Sequence, residues 1–160
     1  MIDSICMNSV LLASASEVFE TMIFMDLEQC FDEQQNIAGD SLLSSITFKG
    51  DLNGCLTICC STDCAKSIGI NMLGMDPEEQ ISREGTYDAL GEVANMVMGS
   101  VKTKIQQNTG NISVSIPVVI SGREIVTRLS DGQAIKTIVK VLIDSKYIAE
   151  FCLLYKDNSL

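Results

Sequence analysis

Apolar residues recur at helical spacing in two long stretches of the chain, and elsewhere they gather in short β-branched runs. From Val10 to about Met25, Leu11, Ala15, Val18, Phe19, Met22 and Ile23 fall on one helical stripe, with Ser14, Glu17, Glu20 and Thr21 away from it. A first long helix is expected there. In the second stretch, "YDALGEVANMVMGSVKTK", Leu90, Val93, Ala94, Val97, Val101 and Ile105 form a buried stripe at about 100° per residue. Asp88, Glu92, Asn95, Gly99, Lys102 and Gln106 fall on the opposite side. This helix is expected to end near Gln107, before "NTGN" turns the chain.

Between the helices, Asp26 to Asp40 is polar and acidic and reads as a loop with room for one strand. "LLSSITFKGDLNGCLTICCS" then places two strand-like runs around "GDLNG", whose Gly and Asn residues suit a hairpin turn. Thr62 and Asp63 can cap a short helix from about Ala65 to Leu73, which Gly74 would close. Pro77 and "EEQIS" open the segment leading into the second long helix, where acidic residues favour a first turn. After it come "ISVSIPVVIS", "REIVTRLS", "QAIKTIVKVLI" and "KYIAEFCLLY". Their closeness in sequence predicts antiparallel pairing, because a parallel pair needs a crossover of a dozen or more residues.

The layout repeats. "FKGDLNGCLTICC" and "VLIDSKYIAEFCLLY" each join two extended runs by a polar turn and carry Cys55 or Cys152 in the second. Laying Glu92 on Glu17 brings Asn95 onto Glu20, so the two long helices read as related units with different surface residues. The expected fold class is α+β: an antiparallel sheet packed with two long helices in a pseudo-duplicated arrangement.

Composition narrows the function. The chain has 160 residues, 46% apolar and 20% charged, enough for one domain with a sizeable core. Its 11 Lys and Arg are scattered and outnumbered by 21 Asp and Glu, giving a net charge of −10, which argues against nucleic acid as a partner. Asp3 stands where a signal peptide would carry a basic residue, and Glu17 and Glu20 interrupt the most apolar early stretch. A soluble cytoplasmic protein with no membrane partner is the expectation. Of the seven cysteines, Cys55, Cys59, Cys60 and Cys64 cluster, but an extended strand sends Cys60 to the face opposite Cys55 and Cys59, and the chain has no His. Reduced, buried thiols are expected, with no metal site; a Cys-based redox or metal sensor is the rival reading.

The second helix holds the candidate chemistry. Gly in a helix interior costs about 1 kcal/mol relative to Ala and Asn about half of that, and a merely solvated face gains nothing from either. Gly99 lies one turn after Asn95 and leaves clearance for an approaching molecule. Glu92 and Asn95, at i and i+3, point to nearly the same place. An amide donates and accepts, so it can hold and aim a water molecule, and a carboxylate can pair with a Lys or act as a base.

These residues resemble a known signature. Asp88, Glu92 and Asn95, with Pro117 further on, look like the motif of the CheC, CheX and FliY phosphatases of bacterial chemotaxis, and "SEVFETMIFM" resembles the first helix of CheX. The resemblance runs from about Val10 to Tyr155, so a single CheX-like domain over residues 1–160 is expected. CheC-type members carry Glu and Asn on both helices; here Glu20 replaces the first Asn, which implies a single active helix as in CheX. The resemblance implies hydrolysis of the aspartyl phosphate on a CheY-like response regulator. Asn95 would position the attacking water, Glu92 would dock the partner's lysine, and Asp88 and Gly99 would be partner contacts. It also implies a homodimer and no cofactor of the chain's own, with Mg2+ held by the phosphorylated regulator. The alternative is a noncatalytic CheX-like module that binds a response regulator or a flagellar component.

Overall fold

The computed structural model describes residues 4–123 and 134–158. Of the predicted run Arg123–Ser130, all but Arg123 lies outside the described residues. The chain opens with α1 (Ser4–Val18), which passes directly into a π-helical turn, Phe19–Ile23. The first helix therefore begins earlier than periodicity predicts and changes pitch at Val18. A π turn aligns residues five apart rather than four. Val18 and Ile23 are accordingly both buried, while Met22, placed on the buried stripe by α-periodicity, is 53% exposed. Phe24 closes the turn in the left-handed region at φ 61°.

A short strand, β1 (Leu27–Gln29), occupies part of the predicted loop. The hairpin of β2 (Ser41–Gly50) and β3 (Leu52–Ser61) follows. Gly50 sits at φ +144°, where an added Cβ would lie 2.1 Å from the Asn111 carbonyl oxygen, so this turn admits only glycine. Helix α2 (Thr62–Met72) is capped by Ser61, not by Thr62 or Asp63: the Ser61 hydroxyl accepts from the Cys64 amide at 3.1 Å. The strand β3 runs straight into the helix, which moves the cap one residue upstream.

Helix α3 (Arg83–Thr109) starts later than "PEEQIS" predicts. Asp76 closes a separate turn around Pro77, its carboxylate accepting from the Glu78 amide and its carbonyl from Glu79. Ser82 then caps α3 by accepting from the Gly85 amide at 3.0 Å. Strands β4 (Ile112–Val114), β5 (Val118–Gly122), β6 (Ile135–Ile143) and β7 (Tyr147–Asp157) complete the chain.

All pairings are antiparallel, in the order β1, β6, β7, β3, β2, β4, with β5 also on the outer side of β2. Sequence neighbours β5 and β6 are thus not sheet neighbours. The order instead exposes the duplication. One half contributes α1, β1 and the β2/β3 hairpin; the other contributes α3, β4 with β5, and the β6/β7 hairpin. Each half gives its edge strand to the other, and β3 pairs with β7 at the centre. The register agrees: Cys55 lies opposite Leu154 and Cys152 opposite Thr57, as a two-fold relation between the hairpins requires.

Helices α1 and α3 pack on each other, and the core between helices and sheet includes Leu11, Phe19, Phe48, Val97, Phe151 and Tyr155. Phe19 and Phe151 meet edge to face, with centroids 6.1 Å apart, linking the π-helical turn to β7. Among the described residues no helix is long and apolar enough to cross a membrane.

Candidate functional site

Helix α3 is buried along Ala89, Leu90, Val93, Ala94, Val97, Val101 and Ile105 and exposed along Asp88, Glu92, Asn95 and Gly99. The four sequence-selected residues therefore share one outward stripe. Asn95 Nδ2 donates to Glu92 Oε2 at 3.5 Å, a long contact that leaves most of the hydrogen-bonding capacity of both groups turned to solvent. A Cβ added to Gly99 would meet nothing within 4 Å, so no packing among the described residues calls for glycine there. Gly91 is different. It is buried, and an added Cβ would touch Pro117 Cγ at 3.5 Å, an ordinary contact. Pro117 precedes β5 and braces α3 one residue before Glu92.

The first helix approaches the same stripe. Glu17 accepts from Lys104 Nζ at 2.5 Å and from the Ser100 hydroxyl at 3.1 Å, tying the end of α1 to α3 one turn past Gly99. Sequence reasoning missed this link. Ser100 and Lys104 are visibly i and i+4 on one helix, but nothing local indicates that Glu17 is their partner. Above the link lies an open groove of about 390 Å³ lined by Met22, Met96, Gly99 and Lys104. Glu20 lies on the π turn and is exposed.

Hydrogen bonds from Lys104 and then Ser100 hold the Glu17 carboxyl below its ordinary value of 4.5, with the Lys104 charge adding to them. A depressed folded-state pKa contributes stability that is present above the ordinary carboxylate value and lost as pH falls through the folded one. Glu17→Gln is therefore expected to have a lower melting temperature than wild type at neutral pH, with the gap closing in acid. Thermal unfolding across pH checks this; a gap that persists in strong acid would show that the substitution acts through packing.

The cysteines divide by strand face. Cys60 lies in the core, its thiol hydrogen-bonded with Cys64, which together with burial raises it well above its ordinary value. On the other face, burial pushes Cys59 up to about 11, with Glu150 adding to the shift, and burial also raises Cys55 and Cys152. These four thiols are protonated at neutral pH and are poor nucleophiles and poor metal ligands. Among the described residues no group of three or more His, Cys, Asp or Glu is arranged to hold a metal ion.

The fold and this site define an α+β protein of two related halves that displays a carboxylate and an amide on an open helix face rather than in a closed cleft. The family model described as "Chemotaxis phosphatase CheX" matches residues 42–139, and the chain belongs to that family. No curated protein matches the sequence. Among solved structures, the chemotaxis protein CheX from Vibrio vulnificus is similar with a TM-score of 0.78 and 24% identity, over 98% of this chain and 100% of that one. A CheC-like superfamily protein from Shewanella sp. PV-4 has a TM-score of 0.73 and 22% identity, over 98% of this chain and 99% of that one. The CheX in a CheX-CheY-BeF3-Mg2+ complex from Borrelia burgdorferi has a TM-score of 0.71 and 18% identity, over 98% of this chain and 99% of that one.

Proposed function

We propose that this chain hydrolyses the aspartyl phosphate of a CheY-like response regulator, using the Glu92/Asn95 face of α3. The observation that carries the reading is the pairing of an exposed amide with an exposed carboxylate, one turn before a glycine that no packing among the described residues requires. Membership of a chemotaxis phosphatase family supports the reaction, and the Borrelia relative, solved with CheY, supports the kind of partner.

In the proposed reaction a water oxygen bonds to phosphorus as the bond from phosphorus to the aspartyl oxygen breaks. The carboxylate leaves, and the water's proton passes to the phosphate product or to solvent. Such transfers depend mainly on position and charge. Asn95 accepts a hydrogen bond from the water through its carbonyl oxygen and steadies the phosphoryl group with its NH2, aligning the attack. Glu92 pairs with the regulator's lysine and sets the register of the two proteins. Gly99 lets the helix come close, and Asp88 makes a contact at the rim. The regulator supplies the Mg2+ that neutralises phosphoryl charge, so the face needs no metal ligands of its own. Glu17, on the first helix, is held by Lys104 and Ser100.

The test follows phosphate loss from a phosphorylated CheY-like regulator with and without the purified protein. Acceleration by wild type, with weaker regulator binding and a slower rate for Glu92→Ala, supports the reading. Binding without acceleration would identify a noncatalytic docking module instead.

A further inference from the structure

A second site lies upstream on the same helix, at the start of α3 and away from the Asn95 face. A cavity of about 530 Å³ opens where the N-terminal turns of α2 and α3 meet the end of β5. The chain carries nearly two acidic residues for every basic one, so a surface hollow should be acid-rich. This one is not. Among the described residues, Lys66 from α2, Arg83 from α3 and Arg123 after β5 line it against a single carboxylate, Asp40. Arg123 Nε pairs with Asp40 at 3.1 Å, whereas neither Lys66 nor Arg83 has a carboxylate partner among the described residues. The positive ends of two helix dipoles add to the same potential.

The remaining lining decides what kind of anion fits. Ile81 gives apolar surface that bare phosphate would not use, and the Tyr87 ring lies 5.2 Å below the Arg83 guanidinium carbon. The Tyr87 hydroxyl accepts from Arg83 Nη2 at 3.2 Å; its hydrogen bonds with Ser121 and then Arg83 lower its pKa, so the ring and the guanidinium are fixed together. The volume is in the range of organic ligand sites, roughly 300–1,000 Å³. An aromatic or apolar body carrying phosphate satisfies both halves of the cavity.

We propose that this cavity binds a nucleoside diphosphate, its phosphates held by Lys66, Arg83 and Arg123 and its base against Ile81 and the Tyr87–Arg83 pair. Tyr87 lies eight residues before Asn95, about 12 Å along the helix, so the two sites are separate. The sequence hid this one because its cations are far apart in the chain and only the meeting of α2, α3 and β5 brings them together.

Calorimetric titration of the full chain with ADP, pyrophosphate and adenosine tests the proposal. ADP is expected to bind more tightly than either fragment. Lys66→Ala and Arg83→Met should each weaken ADP by about tenfold, the scale of one charge-assisted hydrogen bond. Asp40→Asn should tighten ADP binding, because it removes the carboxylate that competes for these cations; loss of folding cannot imitate that result. Absence of ADP binding at millimolar concentration, or ADP binding that none of the three substitutions alters, would overturn the site. Pyrophosphate binding as tightly as ADP would overturn the assignment of a base to the apolar half.

Discussion

Asn95→Ala is expected to slow the proposed regulator dephosphorylation by about a hundredfold or more while leaving regulator affinity within a few fold, taking the scale from the loss of a single preorganised hydrogen-bonding group. The structure makes this substitution clean. Asn95 is exposed, and its hydrogen bond to Glu92 is 3.5 Å long, so removing the amide leaves no buried group unsatisfied. Alanine is the better helix former by about 0.5 kcal/mol, so α3 should persist unchanged. Asn95→Asp is the informative companion. It keeps the shape and the accepting oxygen but replaces the NH2 donors with negative charge facing an anionic phosphoryl group, so it should be as inactive as Ala and should also weaken binding. Single-turnover phosphate release and a separate binding titration distinguish the two steps. An Asn95→Ala protein that releases phosphate at the wild-type rate would remove the amide from the mechanism.

How far the sequence disclosed the fold depended on how local each cause was. The buried and exposed sides of α3 follow from spacing alone, since a 27-residue helix repeats its pattern through seven turns and one misplaced residue changes little. Helix α1 was legible from Val10 to Val18, apart from Ser14, which periodicity puts off the apolar stripe and the structure buries. Beyond Val18 the π turn moves Met22 outward, and no local residue announces a change from four-residue to five-residue alignment. The cap expected at Thr62 or Asp63 lies instead at Ser61, and Ser82, which caps α3, was not singled out; the reason is shared. Several Ser, Thr and Asp residues stood near each helix start, and the choice among them was made by the preceding strand at Ser61 and by the Asp76 turn ahead of Ser82.

Sheet order was harder still. Hairpins β2/β3 and β6/β7 are local and could be read directly, but the exchange of edge strands between halves is a long-range fact that periodicity does not carry. At the candidate site the pattern had a similar limit. The common stripe of Asp88, Glu92, Asn95 and Gly99 was visible in one helix, whereas the Glu17 link to Lys104 and the bracing of Gly91 by Pro117 join distant segments. Scattered basic residues were a fair description of the sequence and a poor one of the surface, where Lys66, Arg83 and Arg123 converge.

Gly99→Leu is expected to act in opposite directions on stability and on docking. Gly99 lies inside a helix, exposed, with nothing within 4 Å of a built Cβ. Replacing it with a good helix former should therefore stabilise the isolated chain by somewhat under about 1 kcal/mol, raising its melting temperature by roughly 2–4 °C for a protein of this size. Against a docked regulator the same side chain would enter an interface shaped around its absence. Overpacking of that kind costs about 1–3 kcal/mol, or roughly a 5- to 150-fold loss of affinity. Gly99→Ala should keep most of the stabilisation with a smaller loss of binding. Melting curves of the free chain and a titration with the regulator measure the two effects independently. If Gly99→Leu is more stable and binds as well as wild type, the regulator does not dock across Gly99; if it is less stable, the glycine serves the fold. Only a gain in stability together with a loss of binding fits a glycine kept for a partner.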